Sequence, residues 1–325
     1  MTSPLRCTRA GLAALGGCLL TSVLGWAQAW VPPKGEGSVS IFFQNIDFAG
    51  HFAPDGSIDP AFATLSKNVV FEVGYGLTDR LALSLSLPQV NNKFTDKVNE
   101  PFNLPRNVVD DGKYHGALQD FRVELRYNAL KRPFVATPFF AAVIPSHGYD
   151  PVGEAAPGRL FREYVVGAYA GRLLNPLLPR AYVHGLYSYA MVESAIDISL
   201  NRSNVDLEFG YFVLPSTSVS FIYSRQWTHG GLTFEHIFDT PAIFLNHDRL
   251  VRSNFQHVGV GAGFALSNSV DLHGNFVRYV SGSNTHYGTA ISVGVTWRFQ
   301  TRREPPLRSG GGSLRRAAGF LAALR

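Results

Sequence analysis

Cysteine is almost missing from this chain. The 325 residues hold two, Cys7 and Cys18, both close to the N-terminus. If that end is removed as an export signal, the remaining chain has no disulfide, no thiol nucleophile and no cysteine metal site. Charge is also scarce, at 16% Asp, Glu, Lys and Arg against about 25% in ordinary soluble domains. Beyond the N-terminus no apolar run reaches the roughly 18 residues of a helical membrane span. Nor is there a basic body. Arg6 and Arg9, with six arginines against Glu304 after Phe299, account for more than the whole formal charge of +5. The segment between is slightly acidic, which argues against a nucleic-acid partner.

Glycine (32 residues) and aromatics (13%) are plentiful instead. The first 29 residues read as a signal peptide. Arg6 and Arg9 precede the apolar stretch Ala10–Leu24, and Ala27-Gln28-Ala29 is an A-x-A cleavage site. Cleavage near Ala29 is expected. A lipoprotein box at Leu15-Gly-Gly-Cys18 is the rival reading, and it would leave an apolar remnant behind. The remaining organisation is a short lead over 30–36, one domain over 37–299 and a basic tail over 300–325. The tail carries a Pro-Pro and Gly-Gly-Gly linker. A disordered extension suits it better than an isolated surface helix, because a dozen residues rarely hold helix alone.

Residues 72–88, EVGYGLTDRLALSLSLP, set the fold class. Leu81, Leu83, Leu85 and Leu87 alternate with Ala82, Ser84 and Ser86, and Phe71, Val73, Tyr75 and Leu77 alternate with Glu72, Gly74 and Gly76. Period two is the signature of strands with unlike faces. Leu77–Arg80 forms the turn, and Pro88 is expected to end the second strand because it has no N–H to donate. Twelve such arms follow one another: 37–48, 67–77, 80–88, 117–128, 134–145, 160–173, 180–192, 200–213, 217–227, 253–266, 269–281 and 285–299. The sixth and seventh have no clear register.

Connections after the even-numbered arms are short, and those after the odd-numbered arms are mostly long. That alternation predicts an all-β fold: a single antiparallel transmembrane β-barrel of about 12 strands, with short periplasmic turns and longer extracellular loops. Closure is required, because an open strand edge in lipid leaves backbone groups without partners. An exported soluble β-sandwich is the alternative, though it has no reason to place a long loop at every second connection. The last arm ends ISVGVTWRF, so Trp297 and Phe299 are expected in an interfacial aromatic girdle, in the place of a barrel-assembly signal.

EVGYGLTDRLALSLSLP, the Pro145-Ser-His-Gly148 stretch, NRSNVDLEFGY and SGSNTHYGTAISVGVTWRF together resemble the outer-membrane β-barrels associated with the meta-pathway of phenol degradation. The resemblance spans most of 37–299 and implies transport of small, often aromatic, compounds. It supplies no catalytic residues. The tail after Phe299 departs from it, since such barrels usually end at that aromatic.

Charged residues expected on the inner faces are Glu72, Asp120, Arg122, Glu124, Arg126, Asp206, Glu208, Asp271, His273 and Arg298. Either they line a lumen that selects what passes, or they pair with one another and stiffen a plugged interior. A barrel of twelve strands is wider than the eight-strand size that side chains fill, so a narrow pore is geometrically allowed. Ser146, His147, His229, His236, Asn246, His247, Asp248 and Ser253 are the residues from which a hydrolase or metal site would have to be built. Their spacing matches neither an enzyme motif nor a zinc site, so no catalytic residue, metal or cofactor is assigned. Phe102, Leu104, Phe234, Ile237, Phe238, Ile243, Phe244 and Leu245 in the long loops would be a liability if exposed. They are expected to pack together over the barrel mouth, or else to form an apolar capture site. Outer-membrane lipids, the barrel-assembly machinery and a small-molecule substrate are the expected partners.

Overall fold

The structure, a computed structural model, describes residues 29–60, 63–95, 108–237 and 239–301. The expected signal peptide before Ala29, the tail beyond Thr301, Phe102, Leu104, Phe238 and the Leu245 side chain lie outside the described residues.

Twelve antiparallel strands close into one barrel. They are β1 Glu36–Phe52, β2 Thr64–Gly76, β3 Leu81–Phe94, β4 Phe121–Tyr127 with its forward extension His115–Leu118, β5 Val135–Ile144 and β6 Glu163–Leu173. Then come β7 Ala181–Val192, β8 Leu200–Leu214, β9 Thr217–Gly230, β10 Asn254–Ala265, β11 Val270–Ser283 and β12 Thr285–Gln300. Each strand pairs with its sequence neighbour, and β12 pairs with β1 from Glu36↔Gln300 to Phe52↔Thr285. That last seam removes both open edges. The opening hairpin turns where the sequence predicts. Leu77 and Thr78 donate their amides to the Leu81 carbonyl, and the Thr78 hydroxyl accepts from the amides of Arg80 and Leu81.

One expectation fails in an informative way. Pro88 does not end β3, which continues to Phe94 with Val70↔Pro88 in register. The interruption falls on the other side. Pairing of β3 with β4 runs from Leu81↔Tyr127 to Ser86↔Arg122, skips, and resumes at Gln89↔Leu118. Pro88, with no N–H, sits in that gap, and its carbonyl still accepts from the Gln119 amide at 2.8 Å. The proline breaks one ladder and leaves the other intact. Strand β1 also runs further than the alternation suggests, to Phe52.

The two faces are opposite in chemistry. Leu85 (44% exposed), Leu125 (42%) and Val293 (53%) stand on the outside, while their neighbours Ser84 (9%), Glu124 (5%) and Ser292 (4%) point in. Aromatics collect outside near the short turns: Tyr127, Phe134, Tyr211, Phe264 and Trp297 are all exposed. Phe299 lies 5.5 Å from the Trp297 ring and 6.5 Å from that of Tyr75.

At the short-turn end the lead 29–35 leaves the wall and crosses the barrel. Gly35 donates to the Gly76 carbonyl and Lys34 to the Asp79 carboxylate. The far end reaches β5 and β6, where the Thr137 hydroxyl donates to the Ala29 carbonyl at 2.6 Å and Trp30 packs against the cluster of Val135, Phe139, Val165 and Tyr169. Gly171 on β6 has no room for a side chain, since a Cβ there would meet the Trp30 ring.

At the other end the long loops fold over the opening. Phe234 packs on buried Ile237 and Val251, and Phe244 is buried against His247. Of the apolar loop residues, Phe234 and Ile237 pack together as expected, whereas Phe244 packs on His247. Asn284, alone between β11 and β12 with φ +50°, accepts the Phe234 amide on its side chain and ties this loop to the wall.

Candidate functional site

Register arranges the inward charges in rows. Ser86 pairs with Glu72 on one side and Arg122 on the other, and Ser84 pairs with Gly74 and Glu124. Because β4 alternates strictly, Arg122, Glu124 and Arg126 all emerge inside, two residues apart. Glu124 is the hub. Arg122 donates to its Oε2 at 2.5 Å, Arg126 stands 3.6 Å from its Oε1, and the Tyr169 hydroxyl donates to it at 3.2 Å. Arg126 also donates to the Ser84 hydroxyl at 3.0 Å, and the Arg122 guanidinium lies 5.6 Å above the Phe139 ring. Glu72 lies within the field of both arginines. A buried carboxylate held this way survives because its charge is opposed and its oxygens carry hydrogen bonds.

The facing wall carries a second group. Tyr182 donates to Glu208 at 2.6 Å, and Arg298 donates to Asp271 at 2.9 Å. The His273 ring lies 4.7 Å from that of Phe42. Glu208, His273, Phe42, Ser220 and Ser292 line a small pocket floored by Gly261 and Gly274. Asp206 points inward one pleat from Glu208, opposite Ser224. Asp120 sits at the head of β4, where it accepts from the Tyr149 hydroxyl at 2.6 Å. All ten sequence-predicted inner charges are therefore buried or half-buried in the barrel. Six are carboxylates and three are arginines, so the interior leans acidic.

Several residues that shape the interior escape the sequence reading. Tyr169, Tyr182 and His184 are buried at its centre, on the two strands without clear register. Arg202 and Glu163 form a further internal pair at 2.5 Å. An aromatic and imidazole cluster of Phe48, His51, Phe255, His257, Tyr279 and His286 fills the barrel nearer the long loops.

The serines and histidines considered for chemistry do not converge. Ser146 pairs with His147 at 2.9 Å, and Ser203 with His229 at 2.8 Å. Among the described residues neither histidine holds a carboxylate on its second nitrogen, so neither pair has an orienting third member. Ser253 instead meets the Thr285 hydroxyl at 2.8 Å, and His236 pairs with Asp239 in an exposed turn. His247 and Asp248 are buried together with Glu154, a residue no motif pointed to.

No protein-family model matches the chain, and no curated protein matches it. Among solved structures the chain is similar to an outer membrane channel from Pseudomonas putida F1, over 84% of this chain and 99% of that one, at 14% identity and a TM-score of 0.64. At that identity the shared feature is the fold. The KdgM porin aligns over 80% of this chain and 99% of its own at 9% identity and a TM-score of 0.43. The translocator domain of the autotransporter NalP from Neisseria meningitidis aligns over 82% of this chain and 90% of its own, at 11% identity and 0.46. Both superpositions are too loose to bear on function.

Proposed function

We propose that this chain is an outer-membrane β-barrel that acts as a passive channel for small compounds, with hydrophobic or aromatic molecules as the class its interior fits. The observation that carries the reading is the inversion of polarity across a closed wall: leucine, valine and phenylalanine outside, and charged, hydroxyl and aromatic side chains inside. Only a barrel bathed in lipid gains from exposing so continuous an apolar belt. The fold shared with the channel from Pseudomonas putida F1 supports it. Rings such as Phe42, Phe139, Tyr169 and Tyr182 are interleaved with ion pairs inside the wall, each less than a tenth exposed, and an aromatic solute would meet their faces where that packing opens.

Outer-membrane lipids would cover the belt. Trp297 and Phe299 at the end of β12 would face the assembly machinery, after removal of a signal peptide near Ala29. Transport needs no covalent chemistry and no cofactor. Planar-bilayer conductance of the purified barrel tests the channel, and growth of a deletion strain on a panel of aromatic carbon sources tests the substrate class. Recovery of the protein from the periplasm without detergent would sink the membrane reading.

A second reading is a structural barrel that conducts nothing. It is favoured by the tight interior, where Arg126, Glu124, His184 and Glu208 are all less than a tenth exposed. Absence of any conductance, with the barrel folded, would decide for it.

A further inference from the structure

The apolar belt on the outer wall ends abruptly toward the long loops. On β3 the outward positions Leu83, Leu85 and Leu87 give way to Gln89, Asn91 and Lys93, and on β2 Val73, Phe71 and Val69 give way to Lys67. Both lysines belong to that outer face, because their neighbours Ser66, Asn68, Asn92 and Phe94 are buried inside. Lys67 is opposite Asn91, and Lys93 is opposite Leu65. The two lysines are therefore diagonal neighbours on adjacent strands.

One aromatic ring serves both cations. Tyr114, 41% exposed just ahead of the His115–Leu118 extension, has Lys67 Nζ 5.1 Å and Lys93 Nζ 5.9 Å from its ring centre. Like charges gathered on one ring repel, and an exposed cation–π contact offsets little of that. Among the described residues neither ammonium forms an ion pair. Asp111 is taken by Lys113 at 3.3 Å and His115 at 2.8 Å, and Asp47 on β1 stands across Leu65 from Lys93. Two other outward cations toward this end have a ring each: Arg225 lies 4.4 Å over Trp227, and Arg278 donates to the Tyr287 hydroxyl at 2.9 Å. Two unopposed ammoniums at the rim of an apolar belt complement an anion held at the same depth.

We propose that Lys67, Lys93 and Tyr114 form a docking site on the outside of the barrel for the phosphate of a phosphorylated outer-leaflet lipid. The inference rests on the membrane reading above, since the partner must share the bilayer that covers the belt. A lysine at the belt's edge lays its aliphatic stem along apolar surface and puts its ammonium in the headgroup layer. There a phosphate accepts from both ammoniums, which bind it as point charges. The lipid's acyl chains would run down the wall over Val69, Phe71, Leu85 and Leu87, directly below the lysines. A free anion gains only the charge contacts, whereas a lipid gains the belt as well. Tyr114 is a positioning residue: its ring gathers the two ammoniums, and an amphipathic ring suits the headgroup boundary.

The test titrates the full-length barrel in detergent micelles with an acylated glucosamine disaccharide bisphosphate, and counts bound lipid by native mass spectrometry. The same lipid without its phosphates is the control. A lysine beside an anionic lipid is worth a factor of about five in affinity. Lys67→Gln with Lys93→Gln should therefore weaken binding about 25-fold, and removing the phosphates should do the same to the wild type. Lys67→Arg with Lys93→Arg should restore it, which a merely structural role for the lysines would not predict. Equal binding of the two lipids to the wild type would overturn the proposal without any variant, as would a folded double Gln variant that binds like the wild type. Displacement of the lipid by equimolar inorganic phosphate would overturn the lipid as partner. Heat-modifiable migration establishes that each variant is folded. Recovery without detergent would sink the membrane reading itself, an outcome distinct from a detergent-dependent barrel with no preference for phosphate.

Discussion

Tyr169 on β6 reaches past β5 to donate its hydroxyl to Glu124 on β4, at 3.2 and 3.3 Å from the two carboxylate oxygens. The bond ties the one carboxylate of the Arg122–Glu124–Arg126 group to the aromatic cluster against which Trp30 packs. Tyr169→Phe removes one donor and leaves Glu124 with its arginines, so a loss of about 1 kcal/mol and an assembled barrel are expected. Arg122→Ser removes one of the three guanidiniums among the ten predicted inner charges, which stand against six carboxylates. In bilayers its reversal potential should shift toward stronger cation preference. An unchanged potential would mean that ions bypass this group.

The outer face predicts the opposite sensitivity. Leu125 is one residue from Glu124 and 42% exposed. On a lipid-facing wall Leu125→Arg costs roughly 2–4 kcal/mol near mid-membrane. It should impair assembly, read as loss of the heat-modifiable band, whereas Arg122→Ser keeps it. Equal assembly of the two variants would mean that lipid does not cover the belt.

All twelve strands were legible because most alternate sharply between apolar and small or polar residues, with turn-forming residues between. Where both faces carry the same chemistry, legibility ends. In β6, Tyr164 and Val166 point out while Val165 and Tyr169 point in, and in β7 Tyr187 is outside and Tyr182 inside. Period two is present there but has no polarity to mark its phase. Pro88 misled because a proline stops pairing on one side only. Glu154 was invisible for another reason: 93 positions separate it from His247, and only the barrel brings the two loops together.

The mouth cluster gives a pH dependence with a definite sign. Burial works to lower the His247 pKa, but the Asp248 charge, the hydrogen bond to Glu154 and the Glu154 charge together outweigh it and push His247 up to about 10 from its ordinary 6.5. Burial likewise raises Glu154 and Asp110 above the usual carboxylate range. All three hold protons more tightly in the docked loops than in released ones. The contribution of His247 is complete below about pH 6.5 and is lost as pH rises through about 10, while those of Glu154 and Asp110 are complete only below the ordinary carboxylate range and fall as pH rises above it. Proteolysis of the 231–253 loop should accelerate as pH rises across that window. Loops more protected at alkaline pH would contradict the sign.

The lead predicts a change in conductance. Trp30 lies across the short-turn end against β5 and β6. Trp30→Ala removes the largest group in that segment without touching any strand ladder. Single-channel conductance should rise while heat-modifiability stays the same. Conductance equal to the wild type would place the narrowest point elsewhere, at the Glu124 group or under the long loops.

Cysteine accessibility separates the two faces most directly. If the signal peptide is cleaved near Ala29, the mature chain has no native thiol, so each engineered cysteine reports alone. The Arg122 side chain is 23% exposed and that of Glu124 is 7% exposed, both toward the interior. A cysteine at 122 should react readily with a small water-soluble thiol reagent, and one at 124 more slowly because Arg122, Arg126 and Tyr169 crowd it. Cysteines at 123 and 125 should stay unreactive in membranes, because lipid excludes the reagent and keeps the thiol from ionising. In detergent the order 122 before 124 should persist, since it is set by packing within the barrel and not by the membrane. Fast labelling at 125 in intact membranes, with 122 protected, would invert the faces, and the channel reading would fall with them.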